Sequence, residues 1–268
     1  MSGTVELRIP PILNPGILRL TDAVPLQLVV FLFATFLGAL IAGVAGFAFG
    51  LIASAIWLHV ITPAQSVALI SGYAIVIQGF AIWKLRKALE VARLVPFVAG
   101  GAAGIPLGAL LLRTTSADHL RAAIGLLLVL FSVYGLARPK FQWRGSRVGD
   151  GLVGIASGIV GASTGLAGLP IIMWSTSRGW SKDEQRAVFQ PVVVAIFIMT
   201  LVWFGGSGMV TRDVLQLFFI GLPAALLGTW LGLELYRTVD EVRFRRIVLL
   251  LLLISGLTLL PSAFAQGR

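Results

Sequence analysis

Two clusters of small residues are where this chain has the means to do chemistry. The first is Gly43-x-x-Gly46-x-x-x-Gly50, with Ser54 four residues on. The second is Gly161-Ala162-Ser163-Thr164-Gly165-Leu166-Ala167-Gly168-Leu169-Pro170. The wider stretch from Gly151 to Pro170 holds six glycines and no charge. Each glycine costs a helix about 1 kcal/mol against alanine. The core of a water-soluble helix does not accumulate them, whereas an apolar membrane helix uses them for close packing. The pattern predicts a helix that breaks at Gly165 to Gly168 and restarts at Pro170, where a missing N–H is harmless. The matching half-helix restarts near Gly50. Each restart presents unpartnered backbone N–H groups and a partial positive charge of about half a unit. Two such ends meeting at one point make an anion site. Ser54, Ser163 and Thr164 would add hydroxyl donors. The competing reading of the same glycines is tight helix packing.

Other chemistries lack their residues. There is no cysteine, so there is no disulfide, thiolate metal site or cysteine nucleophile. His59 and His119 lie far apart and show no zinc spacing. No His-Glu-x-x-His, phosphate loop or Gly-x-Ser-x-Gly elbow is present. The chain reads as a non-enzyme that needs no cofactor. Gln78 lies mid-span and Gln190 early in its counterpart; a buried amide in a membrane faces the bundle interior and is a candidate substrate contact. Arg186 has two readings, a charge that attracts anions at the inner mouth and, with more weight, a plain loop anchor there. Trp57, Trp174 and Trp203 read as interfacial anchors or packing. The acidic residues fall in loops, apart from Glu234 near the end of an apolar run.

The elements that must position these clusters are membrane helices. Of 268 residues, 57% are hydrophobic and 12% charged, and mean hydropathy is +0.96. Soluble proteins carry roughly 25% charged residues. The apolar runs are continuous, not alternating, which excludes a membrane β-barrel. Net charge is +10, but the cations sit in short loops between apolar runs, facing anionic lipid and not nucleic acid. Expected elements are Leu26 to Ala45, a short Phe47 to Val60, Gln65 to Lys84, Leu94 to Leu112, and Leu120 to Ala137. After a basic linker at 138–148 come Gly149 to Leu166, a short Leu169 to Ser177, Ala187 to Phe204, Val214 to Leu235 and Ile247 to Leu260. Residues 1–25 lack a signal-peptide pattern, because Glu6, Pro10, Pro11 and Pro15 interrupt it. They form an extramembrane or interfacial segment, and 263–268 a tail.

The halves 26–137 and 149–262 repeat one another. Gly43, Gly46 and Gly50 correspond to Gly158, Gly161 and Gly165, and Gly101 and Gly108 to Gly221 and Gly228. If the short pieces count as elements, each half has five, and the second half is inverted. Fifteen of the 21 cations then face inside. A parallel arrangement of four crossings per half gives only twelve. The positive-inside rule favours inversion. The fold class expected is therefore an all-α polytopic membrane protein of two inverted repeats, each with a broken or half-length helix. Inverted repeats with broken helices bind substrate near the midplane, as secondary transporters do.

These glycine clusters, with two similar membrane halves joined by a basic loop, resemble the TauE/SafE family over roughly residues 26–260. The resemblance implies export of sulfite, sulfoacetate or a similar small sulfur-containing anion across a bacterial inner membrane. The candidate substrate-binding residues, read from the breaks and the buried amides, are Gly43, Gly46, Gly50, Ser54, Gln78, Gly161, Ser163, Thr164, Gly165, Gly168, Pro170 and Gln190. Partners are then the small anion and the lipid bilayer, and a homo-oligomer stays open. Rival readings are an anion channel on the same breaks and a non-transporting membrane scaffold. Export agrees with electrostatics: an inside-negative potential drives an anion outward by about 2.3 kcal/mol per charge per 100 mV.

Overall fold

The computed structural model describes residues 26–46, 48–85, 91–137, 146–178, 180, 182–235 and 241–261. The expectations for 1–25, for most of the basic linker and for the tail lie outside these. All elements among the described residues are helices: α1 (Leu26–Ala45), α2 (Phe49–Trp57), α3 (Pro63–Leu85), α4 (Val91–Thr114), α5 (Ala117–Ala137), α6 (Arg147–Thr164), α7 (Gly168–Ser177), α8 (Lys182–Gly206), α9 (Arg212–Leu235) and α10 (Glu241–Leu259). Five stretches of described residues are long and apolar enough to cross a membrane: Leu26–Ala45, Val91–Thr114, Ala117–Ala137, Glu184–Gly206 and Arg212–Leu235. Exposed Phe33, Leu110, Leu130, Val202, Phe219 and Ile254 give the bundle the apolar exterior a bilayer requires.

The packing crosses between the halves. The first helix of each half pairs with the fourth helix of the other, α1 with α9 and α6 with α4. Small residues allow this approach. A Cβ at Gly100 would land on the Gly151 carbonyl, one at Gly104 on the Ile155 carbonyl, and one at Gly158 on the Gly101 carbonyl. Residue numbers rise together along this interface, so α4 and α6 run parallel. Gly228 meets Phe36 and Gly232 meets Leu40, so α1 and α9 also run parallel. The fifth helices of the halves pair with each other. Gly125 faces Gly256 while Gly135 faces Leu249, which makes α5 and α10 antiparallel.

α2 and α7 have 9 and 10 residues, a rise of about 14–15 Å against a hydrocarbon core of about 30 Å. Neither spans; each folds back along the helix before it. Gly38 of α1 faces Phe49 and Ala53 of α2, and Trp57 Nε1 donates to the Phe31 carbonyl at 3.2 Å. Gly161 faces Ala167, and Gly149 faces Trp174. The chain thus forms two helical hairpins, α1–α2 and α6–α7. Their tips use left-handed backbone, at Gly46 (φ 77°) and Ala48 (φ 87°) in the first and Gly165 (φ 79°) in the second. An L-residue such as Ala48 holds that conformation at a cost of roughly 1–2 kcal/mol. The second restart is two residues earlier than expected. α7 begins at Gly168, so Pro170 occupies its third position, still in the turn whose N–H groups lack helical partners.

Candidate functional site

The two hairpin tips touch. A Cβ at Gly50 would lie 3.2 Å from the Gly165 carbonyl and 3.0 Å from Ile70 Cγ2; one at Gly165 would lie 2.8 Å from Ile70 Cδ1. Beside this contact is a cavity of about 50 Å³. That volume holds about four water-sized bodies, at roughly 10–15 Å³ each. Its wall includes the first turn of α2 (Phe49, Gly50 and Leu51), the start of α7 (Gly168 and Leu169), and Gly46 and Gly165. α3 contributes Ile70, Ala74, Ile77 and Gln78, and α8 contributes Phe189, Val193 and Phe197. The lining is thus apolar side chains around two helix beginnings and one amide.

Gln78 is the polar side chain on that wall. Its Oε1 is buried with no hydrogen-bond partner among the described residues. A buried amide oxygen left unpaired costs about 1–3 kcal/mol. Gln190 stands at the tip of the first hairpin. Its Nε2 donates to the Gly46 carbonyl at 3.4 Å, and its Oε1 is also buried without a partner. Arg186, one helical turn earlier on α8, lays its guanidinium against Gly46, where an added Cβ would meet it at 3.2 Å. A permanent positive charge therefore sits at the first tip. Of the two sequence readings of Arg186, anion attraction and loop anchor, this placement favours the first; its spacing of four from Gln190 is the sequence signal, since both then share one face of α8.

The expected residues separate into two groups. Gly46, Gly50, Gly165, Gly168 and Gln78 line the cavity, and Gln190 adjoins it through Gly46. Gly43 lies away, in the α1–α9 interface against Thr229 and Gly232, and Gly161 packs within its own hairpin against Ala167. Pro170 is absent from the lining. The hydroxyls donate inside their own helices: Ser54 to Leu51 O at 3.3 Å, Ser163 to Ile159 O at 2.7 Å, and Thr164 to Val160 O at 2.6 Å.

Asp118, Asp213 and Asp150 are no loop residues; each lies in the first turn of its helix, and Asp150 is 6% exposed. Its Oδ1 accepts from Trp174 Nε1 at 2.8 Å and from Arg178 at 2.8 Å. Trp57 is core, fully buried against Phe31 and Phe49. Glu234, His59 and His119 are exposed. Among the described residues no group of side chains is arranged to hold a metal ion.

Long apolar helices and two hairpins that meet tip to tip define a polytopic membrane protein with a small cavity beside the tips. The family model of the sulfite exporter TauE/SafE matches residues 30–259, and the chain belongs to that family of membrane exporters. No curated protein and no solved structure matches it.

Proposed function

We propose that this protein is a secondary transporter that exports sulfite or a short sulfonate, bound where the two hairpin tips meet. The observation that carries the reading is the unpaired Gln78 amide on the same small cavity as the first turns of α2 and α7. N–H groups at helix starts attract anions, and the guanidinium of Arg186 beside Gly46 adds to that field. Either orientation of the Gln78 amide serves: turned over, it offers an NH₂ donor to the same space. The small volume supports sulfite over sulfoacetate.

In this reading residues 26–137 and 149–262 are inverted repeats joined by the linker at 138–148. The antiparallel pairing of α5 with α10 and the exchanged pairing of α1–α9 with α6–α4 support it. Export follows from the membrane potential, which drives an anion out of a negative interior. A coupled carrier commonly places a carboxylate in the membrane. Here Asp150 is tied to Arg178, and Glu234 is exposed.

The test is thermal unfolding of the purified chain against a panel of anions at matched ionic strength. A ligand at 100 times its dissociation constant stabilises by about 2.7 kcal/mol. Sulfite should raise the unfolding temperature. Gln78→Leu should weaken sulfite about tenfold and leave the ligand-free temperature no lower, since the change removes an unpaired polar group. Equal sulfite affinity in both proteins would remove Gln78 from the site. Topology is checked in intact cells, where the native chain offers no cysteine. Ser116→Cys and Gly206→Cys should both react with an impermeant thiol reagent from outside, and Ser146→Cys should not. Outside reaction at Ser116 but not at Gly206 would restore the parallel arrangement.

A further inference from the structure

A second, larger cavity of about 310 Å³ opens where α4 and α6 begin and α7 ends. Its lining is Ala92, Arg93 and Pro96 from α4, Arg147 and Asp150 from α6, and Arg178 and Trp180 from the chain after α7. Three arginines against one aspartate leave it cationic. α4 and α6 run parallel, so both direct their positive N-terminal ends towards it. The arginines are held in place. Arg178 donates to Asp150 at 2.8 Å and is largely shielded from solvent. Its guanidinium lies 5.6 Å from the Trp174 ring and 4.9 Å from the Trp180 ring. Arg93 covers Trp180 at 5.5 Å. Such contacts fix planar cations in one orientation. Arg147 is exposed at the rim and has no ion-pair partner among the described residues.

We infer that this cavity binds a phosphate-bearing anion, and specifically the headgroup of an anionic phospholipid. Guanidinium groups match phosphate oxygens with paired hydrogen bonds. Basic pockets between membrane helices take phospholipid headgroups. The neighbouring surface argues for an amphiphile: Val91 and Val95 on α4 and Val148 and Leu152 on α6 are all more than half exposed. An acyl chain has apolar helix surface to lie on beside the charged recess. The cavity is also several times larger than the one at the hairpin tips. This inference stands independently of what the protein transports.

The experiment uses the full chain in neutral detergent, titrated with short-chain phosphatidylglycerol, short-chain phosphatidylcholine or inorganic phosphate, with thermal unfolding as the readout. Phosphatidylglycerol should raise the unfolding temperature by several degrees, and phosphatidylcholine much less. The double variant Arg93→Gln, Arg147→Gln leaves the Asp150–Arg178 pair in place and should weaken phosphatidylglycerol about tenfold. A response to phosphatidylglycerol alone, lost in the variant, upholds the lipid source. A response to inorganic phosphate as well, lost in the variant, upholds the phosphate site with free anion as a second source. No response to either, an equal response to phosphatidylcholine, or a response unchanged in the variant overturns the inference.

Discussion

The two hairpins share one plan and differ at their bases. In each, a tryptophan near the end of the short helix donates its indole N–H to the start of the long one. Trp57 donates to the Phe31 carbonyl and Trp174 to the Asp150 carboxylate. The first base is sealed. Trp57 stacks on Phe31 at 5.1 Å and meets Phe49 and Tyr73, and Tyr73 in turn stacks on Phe218 at 4.9 Å. The cation nearby, Arg121, is engaged by the Leu58 carbonyl and Asp118. The second base is charged and open, with Asp150, Arg178 and the cationic cavity beside them. A neutral acceptor lets a hairpin base close over with aromatic rings. A carboxylate acceptor demands a cation, because a buried charge left unpaired is costly. One motif thereby gives an aromatic, dry end and a charged end beside an open cavity, the wet end. In the inverted arrangement proposed above, the wet end faces inward, where an exporter must collect its anion.

The largest expected effect lies at the dry end. Trp57→Ala removes a fully buried indole and should cost about 3–5 kcal/mol in thermal unfolding. Trp174→Ala removes a partly exposed ring and should cost clearly less, about 1–2 kcal/mol. Equal losses would break the comparison. Next comes Asp150→Leu, which strands Arg178 and the Trp174 N–H. Removing one partner of a buried pair costs 3–5 kcal/mol; with partial solvent access here about 2 kcal/mol is expected. Asp150→Asn should cost less, because its amide oxygen still accepts from Trp174. An Asp150→Leu protein as stable as the native one would show that the wet end needs no charge. The smallest effect is at the second tip. Ser163→Ala should change sulfite affinity less than about twofold, since that hydroxyl already donates to Ile159 O. A tenfold loss would return Ser163 to the anion site and make the tip chemically unlike the first.

Much of the architecture was legible because membrane helices announce themselves twice, by apolar length and by the charges that end them. The run from Leu26 to Ala45 coincides with α1, and the breaks at Gly46 and Gly165 fall where glycine clusters interrupt apolar runs. Gln78 was legible as an amide where amides are costly. What escaped was the direction of the short helices' partners. No pattern in the sequence says that Gly43 faces α9 while Gly46, three residues on, faces Arg186. Both are glycines in one apolar run of the sequence, and only the crossing geometry separates packing from site. Asp150 escaped for a related reason. It stands three residues after Arg147, so it looks like the edge of a basic loop, and the partners that hold it in place lie 24 and 28 positions later.

The crossed pairing of first and fourth helices has a consequence for how the chain is made. α1 is synthesised well before its partner α9, which lies some 190 residues downstream by the pairing of Phe31 with Gly221. Its glycine-bearing face must wait, surrounded by lipid, until most of the polypeptide has been inserted. Long-range partners carry an entropic cost of closure that local ones do not. α4 meets α6 after only one intervening helix, so that pair can form early and serve as the template on which the rest assembles. A chain cut after α5 would have no mate for either α1 or α4, and neither half is a folding unit in its own right.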